Sequence, residues 1–370
     1  MIPVCEPYLA GNEKKYVLEC LETNWISSSG KFLNRFEEMV RDGCGVKHAI
    51  CCSSCTTALH LAFEVLDLQP GDEVIVPAFN LIAGTNMVIL AGGKPVLADS
   101  DPRHWCIDVA KIEEKITPRT RAIMAVHMYG HPCDMGPLME LAQEHSLVVV
   151  EDAAEAHGAE YKGRKVGGIG HMGCFSFYAN KNITTGEGGM VVTDNDEYAE
   201  RIRKMRNQGF EEPRFVHQVR GFNYRLTNLQ AAIGVAQMER IEEIVERRRE
   251  LFRRYKERLE NQRGITLAWE AEWAKSVFWQ ICVVLTEEFG SSKEKVMSQL
   301  HKAGVDTRSF FCPMNLQPLF SGKNKKFPDL RGSYPVSERL WKRGFYLPSG
   351  LGLTDGQIDE VAGKLLQCQC

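Results

Sequence analysis

A single lysine stands between an aromatic run and a turn that is rich in glycine and threonine. The aromatic run covers residues 175–178, Lys181 follows it, and residues 183–189 are Ile-Thr-Thr-Gly-Glu-Gly-Gly. A rigid turn beside a strand holds a side chain in place, and burial would lower the pKa of this amine until it could act as a nucleophile. The alternative is an ordinary solvated lysine, which describes most lysines in proteins.

An acid ends a short apolar run further upstream. Residues 147–150 are Leu-Val-Val-Val, which predicts a buried parallel strand, and Asp152 follows two positions later. Ligands of open α/β sheets bind at the carboxyl ends of such strands. Asp152 could therefore keep a ring nitrogen protonated. It could equally be the N-cap of a following helix, a position that aspartate also favours.

A turn of small residues comes before a predicted helix. Residues 49–52 are strand-like, Ser54, Cys55 and Thr56 follow, and the helical pattern covers residues 56–66. Backbone N–H groups at the start of a helix bind anions, so this turn is a candidate phosphate cradle. An ordinary helix cap would have the same composition.

Cysteine is frequent, with thirteen residues scattered along the chain. Most are expected to be small buried apolar residues. Cys52 and Cys55 form a C-x-x-C next to Cys51, so a redox or metal-binding protein is the alternative from a different class. A zinc site needs about four ligands, and a second C-x-x-C does not occur in the sequence, so no metal site is predicted.

The glycine-rich segment at residues 168–173 fits the pattern G-x-G-x-x-G. A dinucleotide site requires a strand before this pattern and a helix after it. Here a polar loop precedes the pattern and the aromatic run follows it. The context therefore argues against a dehydrogenase.

The composition is that of an ordinary soluble protein. The 370 residues are 44% hydrophobic and 25% charged, which allows a large core and, as a rough guide, two domains. The formal net charge of −3 argues against nucleic-acid binding. No apolar run has the length of a membrane span, and the N-terminus lacks a signal-peptide pattern, so we expect a cytoplasmic protein.

Strand-like and helical segments alternate along the first two thirds of the chain. Further strands are predicted at residues 74–77, 95–98, 122–127 and 189–193, and helices at 108–115 and 136–144. This alternation predicts a mainly parallel sheet covered by helices. A long helical pattern begins near Thr227 and leads into a smaller α+β domain with a strand at 277–285 and a helix at 293–303. We place the boundary between a large domain, 1–245, and a small domain, 246–370.

These motifs together resemble the DegT/DnrJ/EryC1/StrS sugar aminotransferases, which are fold-type I enzymes dependent on pyridoxal 5′-phosphate (PLP). The resemblance covers essentially the whole chain in family order and includes residues 24–31, 71–77, 151–158, 175–189, 221–232 and 346–354. It implies an α/β fold with a mainly parallel seven-stranded sheet flanked by helices. It also implies that Lys181 binds PLP covalently and moves protons during catalysis.

The resemblance assigns roles to further residues. Asp152 would pair with the ring nitrogen, and Glu155 stands where the family often has glutamine near the ring hydroxyl. The residues that would hold the phosphate are Cys55, Thr56 and Ser176. Asn223 and Arg225 look like the residues that the family lends to the partner's phosphate, which implies a homodimer with shared active sites. Their alternatives are a turn residue and a surface cation.

One position departs from the family pattern. Members generally stack an aromatic ring on the cofactor a few residues after the segment at 74–77, where this chain has Leu81, with Phe79 two residues earlier. Either Phe79 takes over this role, or an aliphatic side chain covers the ring. The second arrangement would weaken stacking by about 1 kcal/mol.

The segments around Lys181, 24–29 and 346–354 are most similar to members that resemble GDP-perosamine synthases. These move an amino group from L-glutamate to C4 of GDP-4-keto-6-deoxymannose. A C4 or C3 aminotransferase for a UDP- or dTDP-linked keto sugar is the alternative. Family dehydratases have histidine in place of the lysine, and a regulatory member would be expected to lose Lys181 or Asp152, so the sequence argues against both.

Overall fold

The computed structural model describes residues 1–213 and 215–369. Its strands, in chain order, are β1 (His48–Cys52), β2 (Glu73–Pro77), β3 (Lys94–Ala98), β4 (Thr120–Val126), β5 (Val148–Asp152), β6 (Glu160–Tyr161), β7 (Arg164–Lys165), β8 (Met172–Ser176), β9 (Gly189–Thr193), β10 (Ile265–Leu267), β11 (Ala274–Lys275), β12 (Ile281–Leu285), β13 (Arg308–Ser309) and β14 (Gly344–Leu347). The helices are α1 (Glu13–Glu22), α2 (Lys31–Cys44), α3 (Cys55–Glu64), α4 (Ile82–Leu90), α5 (Met135–Glu144), α6 (Asp196–Arg206), α7 (Asn228–Met238), α8 (Ile241–Leu259), α9 (Lys293–Lys302), α10 (Pro335–Arg343) and α11 (Asp355–Leu366).

Seven strands form the main sheet in the order β1-β9-β8-β5-β4-β2-β3. Only β9 runs against its neighbours, since it pairs antiparallel with both β1 and β8. The remaining pairs, β5 with β8, β4 with β5, and β2 with β3 and β4, are parallel. The predicted seven-stranded, mainly parallel sheet is confirmed.

Helices cover both faces of this sheet, which explains why its strands are apolar at successive positions. In β1, Ile50 and Cys52 belong to the core beneath α3 and α4, whereas Ala49 and Cys51 belong to the core beneath α2 and α7. All four side chains are buried. The carboxyl ends of β5 and β8 and the start of α3 are thereby brought to one edge of the sheet.

The last third of the chain forms a smaller α+β unit, as predicted. Its sheet has the order β10-β12-β14-β13 and is antiparallel throughout. Helices α8, α9 and α11 share its apolar core. The short strand β11 pairs with β6, which ties this unit to the large one. The proposed boundary after residue 245 falls inside α8 and stays a prediction.

Two predicted helices differ from the structure. The segment at 108–115 forms two short 3-10 turns, because the Asp108 side chain accepts the N–H of Ala110 and starts a turn that is not continued. The long helix after Thr227 is broken into α7 and α8 at residues 239–240. Glu239 caps α7 while its carboxylate accepts hydrogen bonds from Asn12, Tyr16 and Arg35.

Within the two described ranges, no helix combines the length and the hydrophobicity needed to cross a bilayer.

Candidate active site

The turn that carries Lys181 closes on itself between β8 and β9. The N–H of Thr185 donates to the carbonyl of Phe177 at 2.9 Å, and the N–H of Phe177 donates to the carbonyl of Gly188 at 2.8 Å. Gly186 has φ 82°, a left-handed conformation that glycine adopts without strain. The backbone around Lys181 is therefore held by hydrogen bonds on both sides of the turn.

The side chain of Lys181 is buried and only 10% exposed. Its Nζ lies 3.9 Å from Oε1 of Glu155 and 3.7 Å from the centroid of the Trp279 ring. The Trp279 indole donates to the carbonyl of Asn180 at 2.8 Å, which fixes the ring beneath the amine. Burial lowers the pKa of Lys181, with the Glu155 carboxyl working against this shift. Lys181 is not a solvated surface lysine.

Asp152 is the last residue of β5 and is buried. Its Oδ1 accepts the N–H of Ala154 at 3.1 Å. Burial raises the pKa of this carboxyl, while the Ala154 N–H and the charge of Lys181 lower it. In the described chain a turn and the strand β6 follow, not a helix, so Asp152 does not cap one.

The start of α3 has free backbone donors. Ser54 caps the helix, and its side chain accepts the N–H of Thr57 at 3.2 Å while Thr57 reciprocates to the N–H of Ser54. The N–H groups of Cys55 and Thr56 lie in the first turn, where no carbonyl of the helix can accept them. These two groups are the donors that the sequence predicts for a phosphate.

The strand pairing places Ser176 beside the same helix start. Ser176 is opposite Gly189 in the β8–β9 pair, and Gly189 is opposite Cys52 in the β1–β9 pair. A Cβ atom at Gly189 would lie 2.5 Å from the backbone nitrogen of Cys55. Only glycine lets the strand approach the helix start so closely, and Cys55, Thr56 and Ser176 consequently surround one small space.

Glu155 lies below Lys181 in the same buried cluster. Its Oε2 accepts the N–H of Tyr129 at 2.7 Å. Burial raises the pKa of Glu155 to about 7, even though Lys181 and the Tyr129 N–H oppose the shift. The cluster thus contains a carboxyl that can hold a proton near neutral pH.

His157 adjoins this cluster and is fully desolvated. Its ring lies 5.3 Å from the rings of Phe175 and Phe177. In the described chain neither ring nitrogen has a hydrogen-bond partner, and the side-chain oxygen of Asn182 is also buried without one. Burial, aided by the charge of Lys181, lowers the pKa of His157 to about 3. His157 is therefore neutral at physiological pH.

Asn223 and Arg225 are not in contact with Lys181. Arg225 donates to Oδ1 of Asn223 at 3.1 Å and to Oδ1 of Asn207 at 2.8 Å. Arg225 lines a separate cleft of about 770 Å³ together with Trp25 and Lys31. Their predicted role toward a partner's phosphate is untested in a single chain.

The two candidates for covering the cofactor ring differ sharply. Phe79 is fully buried, and its ring packs about 6 Å from the rings of Tyr129, Phe310 and Phe311. Leu81 is 51% exposed and precedes the first turn of α4. Phe79 is committed to the core between the two units, so Leu81 stays the candidate for this role.

The cysteine cluster at residues 51–55 does not have the features of a redox site. Cys51, Cys52 and Cys55 are buried thiols. Burial raises the pKa of Cys52 to about 12 and raises the pKa of Cys51 and Cys55 well above the usual value. A reactive thiol needs the opposite shift. These residues pack as small apolar side chains and are absent from the one group of candidate metal ligands that the described residues contain.

The glycine-rich segment at 168–173 binds an internal carboxylate. Glu151 accepts the N–H groups of Gly167, Ile169 and Gly170 at 2.6–2.8 Å. Its Oε2 also lies 2.9 Å from Nε2 of the buried His127. The loop is therefore filled from within, which agrees with the argument against a dinucleotide site.

Three residues of this site escaped the sequence analysis: Trp279 under the amine, His157 beside it, and Tyr129, whose N–H binds Glu155. His157 stands in the quoted segment 151–158 and could have been singled out there. Trp279 and Tyr129 lie in apolar surroundings without a distinctive spacing. Only the fold brings them to Lys181.

The chain matches the model of the DegT/DnrJ/EryC1/StrS aminotransferase family over residues 7–366 and belongs to this family. It is 45% identical over 368 residues to the GDP-perosamine synthase of Caulobacter vibrioides. The aligned region covers 99% of this chain and 98% of that protein. The predicted family is confirmed.

Solved structures extend the similarity. The chain is similar to Helicobacter pylori PseC, an aminotransferase involved in the biosynthesis of pseudoaminic acid, with a TM-score of 0.93, 27% identity and coverage of 100% and 99% of the two chains. Spr1654 from Streptococcus pneumoniae, in its PLP form, has a TM-score of 0.91, 25% identity and coverage of 99% and 98%. The predicted fold class, the aminotransferase class and the PLP cofactor are confirmed.

The residues present fit PLP. The α3 start and Ser176 form a cradle that a side chain at position 189 would fill. Oδ1 of Asp152 accepts the N–H of Ala154, and among the described residues its other oxygen accepts no hydrogen bond. The buried amine of Lys181 completes a set that matches the cofactor's phosphate, ring nitrogen and aldehyde.

Proposed function

We propose that this protein transfers the amino group of L-glutamate to C4 of a GDP-linked 4-keto-6-deoxy sugar, GDP-4-keto-6-deoxymannose. The observation that carries the proposal is the buried Lys181 amine, held at one edge of the sheet together with Asp152 and Glu155. The family relation supports an amino donor and a nucleotide-sugar acceptor. The identity to GDP-perosamine synthases supports GDP and C4.

Pyridoxal phosphate, when bound, supplies the electron sink for breaking a C–H bond beside an amino group. Asp152 keeps the proton on the ring nitrogen, and a charge-assisted bond of this kind is among the stronger polar contacts. The helix start and Ser176 bind the phosphate and so orient the ring. Lys181 Nζ, whose pKa burial lowers, takes the proton from the donor's α-carbon as a general base.

Glu155 and Trp279 position this amine. The Lys181 Nζ, which must move the proton, lies 3.9 Å from the Glu155 carboxyl and 3.7 Å from the centroid of the Trp279 ring. The cation–π contact stabilises the amine when it is protonated. Glu155, with a pKa of about 7, can gain or lose a proton near neutral pH and so offset the change of charge on Lys181. Both residues therefore act on Lys181 before any substrate binds.

We further propose a homodimer in which Asn223 and Arg225 complete the partner's phosphate site. Arg225 lines a cleft together with Trp25, which is 56% exposed, and Ile26, the next residue in the chain, is 47% exposed. Such large apolar side chains near a cation are typical of a surface that a second protein covers. A cytoplasmic location, where thiols such as Cys51 and Cys52 stay reduced, also remains a proposal.

Incubation of the purified protein with L-glutamate and a panel of GDP-, UDP- and dTDP-linked keto sugars, followed by mass spectrometry, tests the substrate. We expect 2-oxoglutarate and an amino sugar formed from the GDP-linked 4-keto sugar. Amination of a UDP- or dTDP-linked sugar alone would replace the proposed substrate. Failure to aminate any 4-keto sugar would reject the sugar assignment.

The shared site has its own experiment. Lys181→Ala and Arg225→Ala chains, each expected to be nearly inactive, are mixed after mild dissociation. If Arg225 acts across the interface, half of the sites in the hybrid dimer contain both an intact Lys181 and an intact partner arginine, and activity returns. If both residues act in one chain, no hybrid site is intact and the mixture stays inactive.

A further inference from the structure

Two histidines and a cysteine meet at the carboxyl ends of β3 and β4. His104 and Cys106 lie in the segment after β3, and His131 lies in the segment after β4. All three are buried, and their candidate ligand atoms lie within 4.8 Å of one another. The two imidazole rings are stacked with centroids 5.2 Å apart and an interplanar angle of 9°. None of these residues takes part in the mechanism described above.

One ring nitrogen of His104 is open to a metal ion. Within the described chain its Nδ1 is buried without a hydrogen-bond partner. Its Nε2 lies 3.5 Å from Oδ1 of Asp101, and this oxygen also accepts the N–H groups of Arg103 and His104. A carboxylate on one imidazole nitrogen, with the other nitrogen left over, is the usual environment of a histidine that binds a metal.

His131 is held in the matching tautomer. Its Nδ1 donates to the carbonyl of Pro132 at 2.7 Å, so Nε2 carries the lone pair. That lone pair accepts the N–H of Ala271 at 3.1 Å. A metal on Nε2 would have to replace this one hydrogen bond. A backbone carbonyl on Nδ1 is the second common support for a metal-binding histidine.

Cys106 supplies a soft donor in the same place. Its thiol donates to the carbonyl of His131 at 3.3 Å, which places the sulfur beside the second histidine. Trp105, between the two ligands of this segment, has φ 66°, which is uncommon for a bulky residue. This conformation brings the side chains at positions 104 and 106 to the same cluster.

A cleft leads from the surface to His104. It has a volume of about 440 Å³ and contains four carboxylates, those of Asp101, Asp108, Glu113 and Asp134, against one cation, Arg103. Trp269 and Trp273 also line it. An excess of negative charge in a cleft raises the local concentration of cations.

We propose that His104 Nδ1, Cys106 Sγ and His131 Nε2 bind one Zn²⁺ ion per chain. Nitrogen and thiolate donors are the ligands that Zn²⁺ prefers, and a tetrahedral site with three protein ligands keeps its fourth position for water. The cleft, which His104 lines, would supply that water. The ion ties the segments after β3 and β4 together and displaces the proton of the Cys106 thiol. This site is separate from the aminotransferase site.

Titration of the untagged, chelator-treated holoenzyme with Co²⁺ alone, followed by Zn²⁺, tests the proposal. We expect one Co²⁺ per chain, with a thiolate-to-cobalt absorption band and a tetrahedral spectrum that Zn²⁺ abolishes. Cys106→Ser and His104→Ala should remove the thiolate band or the tetrahedral spectrum and weaken binding by about 100-fold or more, whereas Asp101→Asn should weaken it by about 10- to 100-fold. Cys44→Ser and His145→Ala, which change a half-buried cysteine and an exposed histidine elsewhere, are the matched controls and should bind normally.

Absence of a thiolate band, or its persistence in Cys106→Ser, overturns the proposal. A disulfide between Cys106 and Cys133 in freshly purified protein, seen as the loss of two thiols, also overturns it. If Cys106→Ser does not fold, alkylation of wild-type Cys106 decides the matter by peptide mapping. Zn²⁺ should protect this thiol by at least tenfold, and equal labelling with and without Zn²⁺ rejects the site.

Discussion

The Lys181 cluster and the cluster of His104, Cys106 and His131 lie at one edge of the same sheet, but burial dominates the pKa shifts in the first cluster and is outweighed in the second. Around Lys181 every shifted group is pushed toward its neutral form. Burial lowers the pKa of Lys181 and raises the pKa of Asp152. In the second cluster the pKa of Cys106 falls and that of His104 rises, because the thiol and its neighbours outweigh burial.

The difference shows which cluster depends on a charged ligand. Charges in the Lys181 cluster are poorly compensated by the protein itself, so a dianionic cofactor with a protonated ring would supply what they lack. The imidazole and thiolate of the second cluster already stabilise each other. They can exchange a proton for a cation at the cost of the hydrogen bond from the Ala271 N–H to His131. One region is built for chemistry and the other for holding two segments together.

Lys181→Ala should abolish the function of the Lys181 cluster and leave the cluster of His104, Cys106 and His131 unchanged. Loss of the amine removes both the covalent attachment and the proton transfer, and we expect turnover to fall by at least about 10³-fold. Single-turnover reaction with L-glutamate measures this, and borohydride reduction with peptide mapping should no longer label position 181. Lys165→Ala is the matched control, since Lys165 pairs with Glu160 and Glu242 instead.

In that variant Co²⁺ binding at His104 and Cys106 should be unchanged. Turnover within tenfold of wild type would remove the proposed role of Lys181. A simultaneous loss of Co²⁺ binding would show that the two regions are coupled, contrary to the comparison.

His157→Leu should make the cofactor-free protein less sensitive to acid. The folded-state pKa of His157, about 3, is below the unfolded value of 6.5, so its contribution to stability is present above pH 6.5 and is lost as the pH falls toward 3. At pH 4 this loss amounts to about 3 kcal/mol. Urea unfolding of wild type and variant at pH 7 and pH 4 measures the difference.

His145→Ala, which changes an exposed histidine, should leave the pH dependence unchanged. If wild type and His157→Leu lost the same stability between pH 7 and pH 4, burial of His157 would not make the protein sensitive to acid. The Lys181 region would then not differ from the second cluster in this respect.

The sequence revealed the sheet and the Lys181 cluster because their signals are local. The valines of β5 and the turn after β8 occupy contiguous segments, and each of them leads directly to one side chain of the site. Family resemblance then joined these segments. The helix predicted after Thr227 failed at its break because Glu239 is bound by residues of α1 and α2, more than 200 positions away.

The second cluster escaped because its signal is spread over two ordinary loops. His104 and Cys106 are only two positions apart, and His131 is separated from them by the whole of β4. No metal-binding spacing connects them. The C-x-x-C pattern instead points to Cys52 and Cys55, whose raised pKa values make them poor ligands. Only the parallel sheet brings the two loops to a common edge.

Glu155→Gln should stabilise the cofactor-free protein at alkaline pH. The folded-state pKa of this carboxyl, about 7, exceeds its unfolded value of 4.5, so its favourable contribution is complete below pH 4.5 and is lost as the pH rises through 7. A neutral amide avoids that loss and can still accept the Tyr129 N–H, although Lys181 loses a countercharge. We expect a gain of about 3 kcal/mol at pH 8 and almost none at pH 4.

Thermal or urea unfolding at the two pH values provides the test. Glu160→Gln is the control, because burial is outweighed there by Lys165 and Lys275 and the pKa is lowered. That variant should lose stability at pH 8. If Glu155→Gln were less stable than wild type at pH 8, the charges of the Lys181 cluster would stabilise one another, as those of the His104, Cys106 and His131 cluster do.

Leu81→Tyr should produce the smallest effect and sharpen the account of the cofactor side. An aromatic ring at this half-exposed position would add stacking of about 1 kcal/mol, or roughly fivefold tighter cofactor binding. Leu90→Tyr, at the opposite end of α4 and 56% exposed, is the matched control and should not change affinity. Phe79→Leu should instead lower stability without a specific effect on cofactor release, because its ring belongs to the aromatic core shared with Tyr129 and Phe310. If substitutions at position 79 changed cofactor affinity and those at position 81 did not, the cofactor ring would be covered from the core side. The Lys181 region would then be as enclosed as the proposed metal ligands, and this difference between the two regions would disappear.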